Sequence, residues 1–213
     1  MEYQPIQYQI RFIAEAFGLD PESAEGYARH WLSRQMSINS YAKALFAVPA
    51  PSRLADTYDK GVKKMLDVFG QRVPFDNKFF DGRWVAYDIR QSERSLAAWQ
   101  ELEELQKSDI LIVAAQLGYL HVNQSLARAR QKFQEEEFEL GALATGCILM
   151  THPHWKVRNL RSFIDTGDEC LNPGEEEPSR MLSFSRSTNG FKFEDRPNDL
   201  GSIFAGVATG FLR

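Results

Sequence analysis

A chain of 213 residues is long enough for one large domain, or one domain with a small appendage, and can bury a core without metal or disulfide staples. Hydrophobic residues at 43% and charged residues at 25% speak against global disorder. A net charge of -4 gives no whole-chain pull toward nucleic acid or an anionic membrane, although local basic patches remain open.

The first element is an amphipathic helix. Ile6, Ile10, Ile13, Ala14 and Phe17 recur at helical spacing, and Gly18 stands where a C-terminal glycine belongs. Asp20-Pro21-Glu22 restarts the chain as a second helix, with Asp20 as cap and Ala24, Tyr27, Ala28, Trp31 and Leu32 as its apolar face. The short link predicts a helical hairpin. A short helix is expected over 37–47, ended by Pro49 and Pro51. From Ser52 to about Phe69 a longer one carries Leu54, Tyr58, Val62, Met65, Leu66 and Phe69 on one face. Asp56–Lys60 and Asp59–Lys63 stand at pairing distance along it.

Residues 70–83 hold loop signals, and Arg83–Ile89 suits a short strand. Ser92–Lys107 is helical again, with Leu96, Trp99, Leu102 and Leu105. The run Ile110–Leu117 fits a buried strand or a buried helix; its alanines and helical surroundings favour the helix. Val122, Leu126, Ala129 and Phe133 continue at helical spacing, and 140–150 is an apolar run of either type. Both apolar runs are far short of the roughly 20 residues that a spanning helix needs.

The character changes after residue 151. Thr166–Ser179 is rich in Gly, Pro, Asp and Glu and is expected to be an exposed loop. Met181–Asp195 is the clearest β signal. An Asn189-Gly190 turn would oppose Thr188 to Phe191 and Phe184 to Asp195, with Leu182, Phe184, Phe191 and Phe193 on one face. Ile203, Val207 and Phe211 sit four apart, as on a short helix. The expected fold class is therefore mainly α: an antiparallel helical domain over 1–150, with a mixed C-terminal segment over 151–213 (loop, β-hairpin, apolar tail) packed on it.

No nucleophile motif, phosphate-binding glycine loop or zinc-protease signature is present, and no cofactor is expected. His152-Pro153-His154 lacks the second close pair of a zinc site, so it is read as a surface turn and no metal is assigned. Glu135, Glu136, Glu137 and Glu139 are close enough on a helix to hold a divalent cation, but acidic runs are usually solvated faces. Arg128, Arg130 and Lys132 read as part of an ordinary charged helix face.

Two features remain. Phe184, Phe191, Phe193, Ile203, Phe204, Val207 and Phe211 either complete the chain's own core or form a docking surface for a protein partner or a second copy. Trp155, Lys156, Arg158 and Arg161 mix a stacking ring with cations that suit phosphates. The leading expectation is a non-enzymatic interaction protein, a structural or accessory subunit of a larger assembly. The alternative is a nucleic-acid-associated protein using 154–161. With two cysteines and no signal-peptide pattern, a cytoplasmic location is expected.

Overall fold

The computed structural model describes residues 3–33, 40–78, 88–154, 163–171, 176, 178–188, 190–199 and 205–212. Its centre is a nine-stranded mixed sheet, and this overturns the expectation of a mainly helical fold. The elements in chain order are α1 (Ile6–Phe17), α2 (Glu22–Ser33), β1 (Ala44–Pro49), α3 (Pro51–Leu54), α4 (Tyr58–Arg72), β2 (Phe75–Asn77), β3 (Asp88–Arg90) and α5 (Glu93–Gln106). There follow β4 (Ile110–Leu117), α6 (Leu126–Arg130), β5 (Glu137–Glu139), α7 (Gly141–Thr151), β6 (Phe163–Leu171), β7 (Arg180–Ser187), β8 (Gly190–Pro197) and β9 (Ala205–Phe211). The strands run β1-β4-β9-β6-β7-β8-β2 across the sheet, with β5 added to β9 and β3 added to β6.

The amphipathic helices are where their spacing places them. In α1, Ile6, Ile10, Ile13, Ala14 and Phe17 are buried, and Gly18 closes the helix at φ 70°, its N–H donating to Ala14 O at 2.8 Å. Asp20 Oδ1 accepts from the Glu22 N–H at 3.0 Å. Lys60 pairs with Asp56 as expected, but Lys63 turns to Asp67 at 2.9 Å instead of Asp59. The expected helix from Ser52 is split by Ala55–Thr57 into α3 and α4.

Three expected helices are strands or contain one. Ala44–Pro49, which overlaps the end of the helix expected over 37–47, pairs antiparallel with β4, and residues 34–39 lie outside the description. Ile110–Leu117 is β4, every residue buried. The tail is β9, antiparallel to β4 on one side and, at its start, parallel to β6 on the other. The physical reason is common to β4 and β9. A strand covered on both faces has no polar face, so it loses the period-two signature and reads as an undifferentiated apolar run. The loop expected over 166–179 begins instead as the second half of β6, with Thr166 and Asp168 buried. The helical spacing of Val122, Leu126, Ala129 and Phe133 corresponds to the five helical residues of α6 alone.

The hairpin forms, but two residues out of the expected register. Ser187 opposes Gly190, and Phe184 opposes Phe193 rather than Asp195. Gly190 is used differently: its φ is 146°, and a Cβ there would lie 2.0 Å from Pro74 O. The glycine admits the chain entering β2, whose Pro74 O accepts from the Phe191 N–H at 3.0 Å. A slip of two keeps every side chain on its expected face.

Both parts of the chain share this sheet, since β9 lies beside β4. The core runs from α1 through β4 and α7 to β8, and α7 is buried along all eleven residues. Among the described residues no helix is long and apolar enough to cross a membrane.

Candidate functional site

The parallel pairing of β6 with β9 lasts for three residues, Phe163–Asp165 against Ala205–Val207. Beyond it the strands separate. β9 continues against β5, and β6 continues against β3. Crevices at the carboxyl ends of diverging parallel strands are where open α/β sheets place their sites. Here the fork is filled with polar side chains of the chain itself.

A register shift between Asp165 and Glu169 bends β6 at the fork. Gly167 sits in it at φ 85°, and a Cβ there would meet the Glu139 side chain at 2.4 Å. Glycine therefore lets Glu139 of β5 cross the strand. Glu139 Oε2 accepts from the Ser92 and Ser95 hydroxyls, both at 2.8 Å, at the start of α5. Its Oε1 pairs with Arg130 Nε, while Arg130 Nη1 reaches Glu169 at 2.9 Å and Nη2 the Gly167 carbonyl at 3.2 Å. Asp168 turns the other way: its Oδ2 accepts from the Tyr58 hydroxyl at 2.7 Å and the Ala142 N–H at 2.6 Å, at the start of α7. Two helix N-termini thus converge on two carboxylates, as the helix dipole favours.

Burial pushes the Asp168 carboxyl up to about 7, against the two hydrogen bonds that favour its anion; Glu139 adds to the rise. The same burial opposes the charge on Arg130, but Glu139 and Glu169 outweigh it and hold its pKa above the usual value. A second polar chain crosses β9. Thr209 donates to Glu137 at 2.6 Å, and Glu137 also pairs with His121 Nε2 at 2.8 Å. Burial alone would raise Glu137, yet the bonds from His121, Thr209 and the Gln134 N–H hold it below its ordinary value. Further along β6, Asp165 accepts from Ser183 at 2.7 Å and Arg196 at 3.3 Å. Burial still raises its pKa.

Outside the fork lies an open polar cleft of about 570 Å³. Asn123, Ser125 and Arg128 line it together with Asn198 and Asp199, and it reaches the Arg130–Glu169 pair. Asn198 Nδ2 donates to Glu169 at 3.2 Å and to Pro178 O at 2.8 Å, which fixes that wall. Arg128 is exposed and has no ion-pair partner among the described residues.

The residues singled out in the sequence fall elsewhere. Phe184, Phe191, Phe193, Val207 and Phe211 are all buried, at 0–1% exposure, within the chain's own packing. Phe184 and Phe193 have ring centroids 4.7 Å apart, and Phe69 of α4 lies 5.8 Å from Phe184. Ile203 and Phe204 lie outside the described residues, as do Trp155, Lys156, Arg158 and Arg161. Of the surface turn expected over His152-Pro153-His154, Pro153 and His154 do form a turn after α7, with His154 exposed, but His152 is buried against Tyr3 and Phe46. Its Nε2 accepts from the Gln4 N–H at 3.2 Å, so Nδ1 carries the proton and donates to Ile148 O at 3.0 Å. Among the described residues no group of three or more His, Cys, Asp or Glu side chains is arranged to hold a metal. Burial pushes both thiols, Cys147 and Cys170, well up from their usual value.

Sequence reasoning missed the fork. Glu137 and Glu139 belong to an acidic run whose other members, Glu135 and Glu136, are exposed as expected. The one available signal was the glycine beside each fork carboxylate, Gly141 near Glu139 and Gly167 before Asp168. No family model, no curated protein and no solved structure matches the chain.

Proposed function

We propose that this is a non-enzymatic interaction protein, a structural or accessory subunit of a larger assembly, and that it meets its partner at the polar cleft beside the fork. One contrast supports the reading. The fork carboxylates are engaged by the chain's own hydroxyls, amides and Arg130. Such groups hold structure together. The cleft instead presents Arg128, Asn123 and Asp199 at exposed positions on a wall fixed by Asn198. Polar groups held on a fixed frame and open to solvent suit recognition.

The test is affinity capture of the whole chain from its native cells, beside Arg128→Glu, with native mass measured by light scattering. A stoichiometric complex lost in the variant, whose melting temperature is unchanged, bears the reading out. A monomer that recovers no protein at any concentration overturns it. A complex retained by Arg128→Glu overturns the cleft as its location. Nucleic acid recovered in a salt-sensitive way, and lost in Lys156→Ala and Arg158→Ala, would replace this reading with the alternative.

A further inference from the structure

Arg130 ties β5 to β6 across the fork, and Asp168 adds a second, buried tie behind it. Asp168 joins β6 to α4 through Tyr58 and to the start of α7 through Ala142. Gly141 leaves no slack there: at φ 78° a Cβ would lie 2.3 Å from the Tyr58 hydroxyl and 3.1 Å from Asp168 Oδ1. The charges around it do not balance. Glu139 of β5 and Glu169 of β6 share one guanidinium, Arg130 of α6, and among the described residues Asp168 has no ion-pair partner, so that three carboxylates face one cation, whose charge still favours the Asp168 anion. The other described groups nearby do not supply one. Tyr58 comes from α4 and Cys170 from β6 itself. On β3, Asp88 and Arg90 pair with each other at an exposed edge; on the hairpin, Arg180 pairs with Asp195; and α5 offers Glu139 only hydroxyls.

We propose that the fork is a proton-coupled joint: Asp168 carries a proton while the fork is closed and releases it to solvent when β5 and the start of α7 part from β6, so that rising pH favours the open fork. In the closed state the neutral carboxyl still accepts both hydrogen bonds at Oδ2, and no second anion has to stand beside Glu139 in a dry site. Opening hydrates the group, which then ionises as an ordinary carboxylate. The elements set loose are those that carry Glu139 and, through Arg130, one wall of the cleft. The inference stands on the fork alone and does not depend on the partner reading above.

The sign follows from linkage. A carboxyl raised in the closed state to about 7 favours closure fully below its ordinary value of 3.8, and that contribution is lost as pH rises through 7. The test uses the intact, isotope-labelled protein. Carboxyl-carbon NMR follows the Asp168 resonance from pH 4 to 9, and hydrogen exchange follows the amides of 139–145. The expected result is a midpoint near neutral that moves further up in Tyr58→Phe, because the lost hydroxyl favoured the anion. Protection factors should fall more than about tenfold from pH 5 to pH 7 and level off above. In Asp168→Asn, whose amide oxygen can accept from the same two donors, protection should stay flat. A wild-type midpoint near 4, or equal pH dependence in Asp168→Asn, overturns the proposal. Should Asp168→Asn fail to fold, the wild-type titration and its displacement in Tyr58→Phe decide between the outcomes.

Discussion

Gln9 shows what one buried amide does at a sheet edge. Among the described residues β1 is the last strand on its side, and one row of its backbone groups has no strand to pair with. Gln9, projecting from α1, supplies the pairing: its Oε1 accepts from the Ala47 N–H at 3.1 Å and its Nε2 donates to Leu45 O at 3.4 Å. Gln106 does the same for Ile112 of β4, with both bonds at 2.8 Å. Gln9→Ala should leave a buried N–H unsatisfied and cost about 1–3 kcal/mol, read as a lower denaturant midpoint at unchanged slope. An unchanged midpoint would mean that water replaces the amide. Glu137 is the acid-side counterpart. Its bonds hold the carboxyl below the ordinary value of 4.5, so its contribution is present above that pH and lost as pH falls through the folded-state value. Glu137→Gln should therefore flatten the fall in melting temperature between pH 5 and pH 3, while lowering stability at pH 7. Neither role was legible beforehand. A buried Gln or Glu has the same letter as a solvated one, and only the fold reveals which backbone groups lack partners.

At the scale of elements, what was legible follows from how many faces an element buries. α1, α2, α4 and α5 each keep a wet face, so the 3.6-residue period shows. β4 and β9 have none, and their alanines and glycines imitate helix. The hairpin was found through alternation, but its turn was misplaced because Gly190 answers to Pro74 from a distant segment. The small residues of β9 have a comparable long-range cause. Gly206 and Gly118, which follows β4, approach so closely that a Cβ on Gly206 would lie 2.3 Å from Gly118 O. The obstacle is backbone, with no side chain to swing aside. Gly206→Ala should cost about 1–3 kcal/mol or more, by the overpacking seen when bulk is forced into a filled site. Gly26→Ala, which meets nothing within 4 Å, is the control expected to stay within about 0.5 kcal/mol or gain slightly. Equal melting temperatures for the two variants would show that the β4–β9 contact yields.

At the scale of the whole molecule, the decisive fact is that a strand from the end of the chain lies in the middle of the sheet. A tail read as a helix packed on a finished domain would be dispensable. β9 is different, because β4 borders one side while β6 and β5 border the other. Removing it would expose the edges of three strands and take away Ala205, Val207, Ala208 and Phe211, all buried. Burying Phe211 alone stabilises by roughly 1.5–3 kcal/mol, and each backbone group left dry and unpaired costs about 1–3 kcal/mol more. Several such losses together exceed the roughly 5–15 kcal/mol by which a domain of ordinary size is stable. Among the described residues the sheet also joins the two sides of the chain only through β9, since β4 has no other neighbour toward β6. A chain ending at Arg196 should therefore show no cooperative thermal transition by calorimetry and no sharp near-ultraviolet dichroism, and light scattering should find it expanded or aggregated. If it proves instead to be a compact monomer with a cooperative transition, β4 and β6 must pair without β9. The sheet would then divide into two halves that fold independently, with the tail inserted afterwards.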